Sequence, residues 1–207
     1  MYEGIDKYLL SIGSEFWRRV FRAETEYLAL HLRGCREILS VGCGPAIVER
    51  GLAARGFAVT GMDVSPVALA CAPDEVRTVV GRAEEMDFPP ASFDAAIYVV
   101  ALQFLDDFRE ALARTARVLR PEGKLIALLL NPQSAFFQAK MRDPESYVQR
   151  IKHTDLPALE EAAAEYFRLR TEYFLGIEGE EILRSRDPAV ASLYVIHGTP
   201  RCAEKGG

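Results

Sequence analysis

Residues 36–56 read REILSVGCGPAIVERGLAARG, and this stretch decides the fold. Ile38, Leu39 and Val41 form the short apolar run of a buried strand, Gly42-Cys43-Gly44 a tight turn, and the residues from Ala46 to Arg55 a helix. Pro45 is expected as the first helical residue, because its fixed φ suits that position and its missing N–H costs nothing there. Glycine in such a turn lets the backbone approach a ligand closely, and the free N–H groups of a helix start favour a polar or anionic one.

Outward from this unit, strands and helices alternate. Strand 57–62 ends at Asp63, and a short helix begins at Ser65 with Pro66 in its first turn. Strands 76–80 and 93–100 follow, then helix 107–119, a turn at 120–123 and strand 124–130. Runs that are apolar along their whole length suit strands covered on both faces. Strands 167–175 and 190–197 are linked by a Gly/Glu-rich stretch and a short helix to Arg186. That link is too brief for a crossover, so they are expected to pair antiparallel. The prediction is an α/β fold with a doubly wound, mostly parallel, seven-stranded Rossmann-like sheet and an antiparallel C-terminal end.

Residues 1–200 are expected to form a single domain. Residues 1–34 read as a cap of two helices over the cleft, with Ser14 as an N-cap and Trp17, Val20, Phe21, Tyr27 and Leu28 at helical spacing. Residues 131–154 break the alternation and read as a partly helical insertion where substrate selectivity would reside. Helix 155–166 follows, and residues 201–207 read as a disordered tail.

The chain has 207 residues, 49% of them hydrophobic and 27% charged, with a net charge of −5. No basic field favours nucleic acid. Cys35, Cys43, Cys71 and Cys202 form no C-x-x-C pair, which argues for reduced thiols and against a structural zinc site. His31, His153 and His197 are far apart with no paired acid, so no metal is expected. No apolar run could span a bilayer, and Glu3 and Asp6 sit where a signal peptide would be basic and then apolar, so the expected location is cytoplasmic.

An acid about 20 residues beyond a glycine turn can hold the hydroxyls of a ribose. Asp63 is that acid, and the pair points to an adenosine-like cofactor. The nicotinamide fingerprint wants a third glycine where Ile47 stands, and no G-x-x-x-x-G-K-[ST] phosphate loop or Tyr-x-x-x-Lys pair is present.

Four segments in order, LSVGCGPA, GMDVS, VVGRAEEMDFPPASFDAAIYVVALQFLDD and ARVLRPEGKLIALLL, resemble the class I S-adenosylmethionine-dependent methyltransferases. The likeness is to the small "type 11" branch that acts on small molecules. It implies that Gly42, Cys43 and Gly44 approach the methionine and ribose of S-adenosylmethionine, and that Asp63 binds the ribose hydroxyls, with Met62 and Val64 flanking the adenine. It also implies that Ala83 and Glu84 meet the adenine, and that residues from Val99 through Val100 to Gln103 line the methyl group. The family's usual acid at position 40, tied to the methionine ammonium, is Ser40 here, and its frequent Asp at position 82 is Arg82. Ser40 supplies no charge, and Arg82 has no acceptor for an amino group.

Methyl transfer from a sulfonium is an in-line displacement that needs alignment and exclusion of water more than a dedicated base. No catalytic signature is therefore expected. Tyr8, Trp17, Gln103 and His153 are candidate substrate-lining residues, while Tyr98 reads as core and the Glu160-Glu161 and 178–181 clusters as solvated faces. The function implied is methyl transfer from S-adenosylmethionine to a small molecule. The alternatives are a non-catalytic or regulatory protein that binds the same cofactor and, less favoured, a nicotinamide oxidoreductase.

Overall fold

A computed structural model describes residues 13–201. Helix α1 (Glu15–His31) opens on Ser14, whose hydroxyl accepts the N–H of Trp17 at 3.3 Å. The expected earlier helix, the candidate Tyr8 and residues 202–207 lie outside the described residues. Then come β1 (Glu37–Val41), α2 (Ile47–Ala53), β2 (Ala58–Asp63), α3 (Pro66–Leu69), β3 (Arg77–Val80), β4 (Phe93–Val99), α4 (Phe108–Val118) and β5 (Leu119–Leu130). The chain continues through α5 (Ala135–Arg142), α6 (Leu156–Tyr166), β6 (Phe167–Glu178), β7 (Glu181–Leu183) and β8 (Ala191–Pro200). Short 3-10 turns sit at Ala83–Glu85, Leu102–Phe104 and Tyr147–Arg150.

One sheet runs in the order β3-β2-β1-β4-β5-β8-β6-β7. The first five strands are parallel, and β8, β6 and β7 pair antiparallel. The sheet has eight strands rather than the expected seven. Glu181–Leu183, predicted as a link leading into a short helix, folds back on β6 as a strand. The reversal is a hairpin through Gly179 at φ 59. Residues 120–123, expected as a free turn, lie within β5, whose register against β4 shifts between Phe93↔Leu119 and Ala95↔Lys124.

Side chains alternate across the central strands, so the core splits in two. Ala96 and Tyr98 of β4 pack with Leu112 of α4 and Leu159 of α6. Ala95 and Ile97 pack on the other face with Leu28 of α1, Leu52 of α2 and Phe136 of α5. Tyr98 is a core residue, as expected; its hydroxyl lies 2.6 Å from Thr115 Oγ1. Glu160 is not merely solvated, because its carboxylate accepts the hydroxyl of Tyr194. Among the described residues, no helix is long and apolar enough to cross a membrane.

The histidines are not all far apart. His31 of α1 and His197 of β8 place their rings 4.7 Å from each other, with Glu172 of β6 between the two elements. Sequence separation hid this, because a sheet brings distant strands side by side. The atoms that could ligate a metal lie within 4.8 Å of one another. Glu172 is already engaged, however: it accepts the Tyr27 hydroxyl at 2.7 Å and pairs with Arg170 and Arg186 at 3.5 and 3.3 Å. His197 Nε2 stands 2.7 Å from the same hydroxyl. The cluster ties α1 to the antiparallel strands.

Burial, with the nearby positive charge of Arg170, lowers the His197 pKa to about 4. Above the ordinary value of 6.5 both folded and unfolded chains keep this ring neutral. As the pH falls toward 4, the unfolded chain takes up a proton that the folded one refuses, so stability is lost with acid. The contribution amounts to about 2 kcal/mol between pH 8 and pH 5. Urea denaturation at both pH values should show wild type losing about that much more stability than His197→Asn.

Candidate functional site

The strand order reverses beside β1: β2 and β3 extend one way, and β4 lies on the other side. In open α/β sheets the crevice beyond the strand ends at such a point is the ligand site. The turn after β1 opens here. Gly42 N–H and Cys43 N–H both donate to the Met62 carbonyl, at 2.7 and 3.2 Å, and Gly42 and Gly44 have φ of 74° and 52°. A Cβ on Gly42 would lie 2.5 Å from Ala101 Cβ, whereas one on Gly44 would meet nothing within 4 Å. Pro45 does not start the helix as expected. Ala46 takes a left-handed conformation (φ 56) and its N–H closes a turn onto the Cys43 carbonyl at 3.0 Å, so α2 begins at Ile47.

Asp63 stands at the end of β2. Its Oδ2 accepts Gly44 N–H and its Oδ1 accepts Ser65 N–H, both at 2.8 Å. Each oxygen keeps a further lone pair, and the carboxylate faces a cavity of about 400 Å³. Gly42, Cys43, Gly44, Asp63, Val100 and Trp17 all line it. Burial, followed by the Glu49 and Asp63 carboxylates, pushes the Cys43 thiol up, so it is not a ready nucleophile. Val100 and Leu175, also on the wall, have φ of 52° and 63° without being glycine. Backbone held in this way collects at ligand sites.

The remaining expected residues do not line the cavity. Met62 is buried, Val64 is exposed and Ala83 is buried beneath its 3-10 turn. Glu84 Oε1 accepts the backbone N–H groups of Asp106 and Asp107 at 3.1 and 3.2 Å. Arg82 clamps the same loop through Asp106 at 2.6 Å. Gln103 is fully buried and spends its amide on the backbone of Leu130, accepting at 2.7 Å and donating at 3.2 Å. The Gln103 backbone carbonyl accepts the N–H of Lys152 and of His153. Gln103 therefore pins residues 152–153 over the sheet end. His153 faces the Leu105 carbonyl at 3.0 Å and packs against Phe108.

Ser40 is buried and stops short of the cavity, but its hydroxyl donates to Glu49 Oε1 at 2.6 Å, and Glu49 does line the cavity. Glu24 of α1 lines it too, 3% exposed, with an Oε2 that has no hydrogen-bond partner. Sequence reasoning missed both. Glu24 had a readable signal, since it lies on the apolar stripe between Val20 and Leu28. Burial raises Glu49 to about 7, and burial together with the charge of Glu49 raises Glu24 to about 8. The far wall is apolar and aromatic: Phe104, Phe136, Tyr147, Leu175, Ile177 and Leu193, with Trp17 edge-on to Phe136 and Tyr147 at 6.3 Å.

Residues 39–127 match the family described as a methyltransferase domain. The demethylmenaquinone methyltransferase of Tropheryma whipplei (strain Twist) is 37% identical over 95 residues, 44% of this chain and 40% of that protein. The ubiquinone biosynthesis O-methyltransferase of Alkalilimnicola ehrlichii is 34% identical over 136 residues, 61% of this chain and 51% of that protein. The chain thus spans about half the length of such relatives or less. In fold it is similar to a Thermotoga maritima S-adenosylmethionine-dependent methyltransferase described as a possible histamine N-methyltransferase. The TM-score is 0.78 at 18% identity, covering 95% of this chain and 96% of that one.

The turn geometry makes a direct test. Gly42→Ala adds a clash with Ala101 to the left-handed strain and should lose about 2–4 kcal/mol of stability. Gly44→Ala meets only the strain and should lose about 1 kcal/mol. Chemical denaturation of the two variants reads the difference.

Proposed function

We propose that this protein transfers a methyl group from S-adenosylmethionine to a small organic acceptor. The observation that carries the reading is one cavity holding both the glycine turn after β1 and the Asp63 carboxylate, under a cap helix. The methyltransferase-domain match over residues 39–127 supports it. The residues suit the cofactor. Gly42 and Gly44 line the cavity, Gly44 with open space where a side chain would stand, and Asp63 has lone pairs left for two ribose hydroxyls. On this reading the adenine lies beyond Asp63, toward Val64 and Ala83, which do not themselves line the cavity, and the methyl group lies by Val100, which does.

When bound, S-adenosylmethionine supplies a carbon already activated by its sulfonium. The chain's part is then to orient the acceptor and keep water out. Trp17, Phe104, Phe136 and Tyr147 form a wall for an apolar or aromatic acceptor body. Residues 135–150 supply part of it, as α5 and the Tyr147–Arg150 turn, and α1 closes the other side. The relatives named for demethylmenaquinone and for ubiquinone biosynthesis fit an acceptor of this chemical kind. Cofactor binding without turnover across an acceptor panel would favour the non-catalytic reading.

Calorimetric titration with S-adenosylhomocysteine tests the proposal, and a folded protein that binds neither this product nor S-adenosylmethionine refutes it. Asp63→Asn loses one of two charge-assisted acceptors and must give up a backbone partner. It should weaken S-adenosylhomocysteine by about 1.5–3 kcal/mol, roughly 10- to 150-fold. The exposed Asp74→Asn serves as the unaffected control.

A further inference from the structure

Two buried carboxylates share the cavity, which Arg150 also lines without an ion pair to either. Glu49 enters from the first turn of α2 and is steadied by the Ser40 hydroxyl at 2.6 Å. Glu24 enters from α1, with Oε2 unpartnered. The helices approach closely because Gly51 leaves room for Thr25, whose Cγ2 would stand 2.7 Å from a Cβ there. Neither carboxylate has an ion pair among the described residues. Their like charges, desolvated together, are relieved by one cation placed between them. An unsatisfied buried oxygen costs stability, and sites that carry such a cost are commonly built for a ligand.

We propose that Glu24 and Glu49 form a two-carboxylate subsite for one alkylammonium group, with Ser40 positioning Glu49. The proposal rests on the cofactor reading above, and assigns that ammonium to the amino-acid end of S-adenosylmethionine. Glu49 lines the cavity together with the glycine turn, and it is held by the residue that stands where the family carries its acid. The charge is supplied from the helix in place of the strand end. The other source of the same chemistry is an amine acceptor.

The charged and titratable groups facing the pair are Cys43 of the turn, Asp63 of β2, and Tyr147 and Arg150 of the 3-10 turn. A cation favours the ionised carboxylates, whose pKa values are raised to about 7 and 8 in the free protein. Ligand binding should therefore release protons near pH 7, and affinity should rise from pH 6 to pH 8.

The test titrates wild type, Glu24→Gln and Glu49→Gln with S-adenosylhomocysteine and with 5′-methylthioadenosine, which keeps the adenosine thioether and lacks the amino acid. Benzylamine, added to the protein saturated with S-adenosylhomocysteine, probes the amine source. We expect S-adenosylhomocysteine to weaken at least 10-fold in Glu49→Gln and several-fold in Glu24→Gln, with 5′-methylthioadenosine unchanged within twofold. The rise in affinity with pH should flatten in both variants, and the ligand-free Glu24→Gln protein should melt higher than wild type at pH 8. Unchanged S-adenosylhomocysteine with benzylamine binding lost in the variants keeps the ammonium subsite and overturns its assignment to the cofactor. Equal loss of both adenosine ligands, or no change in any probe, overturns the subsite. If wild type binds neither adenosine ligand, the cofactor reading fails, and the benzylamine arm alone decides for or against the ammonium subsite.

Discussion

Between Gly42 and Ala101 there is no space for a methyl group, and much of the cleft follows from that contact. It brings the turn after β1 against the chain leaving β4, at the place where the strand order reverses. With these two turns packed together, the first residues of α2 and the end of β2 face the same space. Asp63 then closes the arrangement: by accepting the N–H groups of Gly44 and Ser65 it joins the glycine turn to the start of α3. The left-handed Val100 is held in the same region by its N–H bond to the Leu128 carbonyl at 2.9 Å. Tight packing here leaves the space in front of the turn, rather than within it, for a ligand.

Polar groups around the cleft divide by how fully they are satisfied. Gln103 and Asn131 use their amides on backbone: Gln103 on Leu130, and Asn131 on the carbonyls of Pro188 and Ala191 at 2.7 and 2.8 Å. These two side chains fix the segment after β5 and give the cavity a stable rim. Glu24 and Ser192, also buried, have side-chain oxygens without partners, and both line the cavity. Ser192 lies opposite the left-handed Leu175 on β6, where the ladder skips a pair between Phe174↔Leu193 and Gly176↔Ala191. At Leu175 and Ser192 the strain and an unmet hydrogen bond thus occur together. At the other end of α1, the Tyr27, Glu172 and His197 cluster is closed on itself and serves as an anchor.

The departures from the methyltransferase pattern that the sequence resembles take on a different sense in three dimensions. Ser40 in place of an acid reads, along the chain, as a lost charge. In the fold its hydroxyl meets Glu49, so a carboxylate remains close to the turn. Arg82 in place of an aspartate belongs to a surface clamp with Asp106, Glu84 and Glu85, and its charge is used there.

The sequence by itself determined the order of the elements, the parallel sheet, the glycine turn and Asp63 as its acid. Those signals are local: apolar runs, turn residues and caps such as Ser14, Ser65 and Asp107 act within a few residues. It placed the ends less well at Pro45 and at residues 181–183, where one left-handed alanine and one hairpin outweighed propensity. Only the tertiary structure decided which side chains meet. Gln103, a plausible acceptor contact along the chain, became a backbone clamp, and His31 and His197 became neighbours. Glu24 and Glu49 came into one cavity because the rotation and spacing of α1 on α2 are set by long-range packing at Gly51 and Thr25. No local pattern encodes that distance.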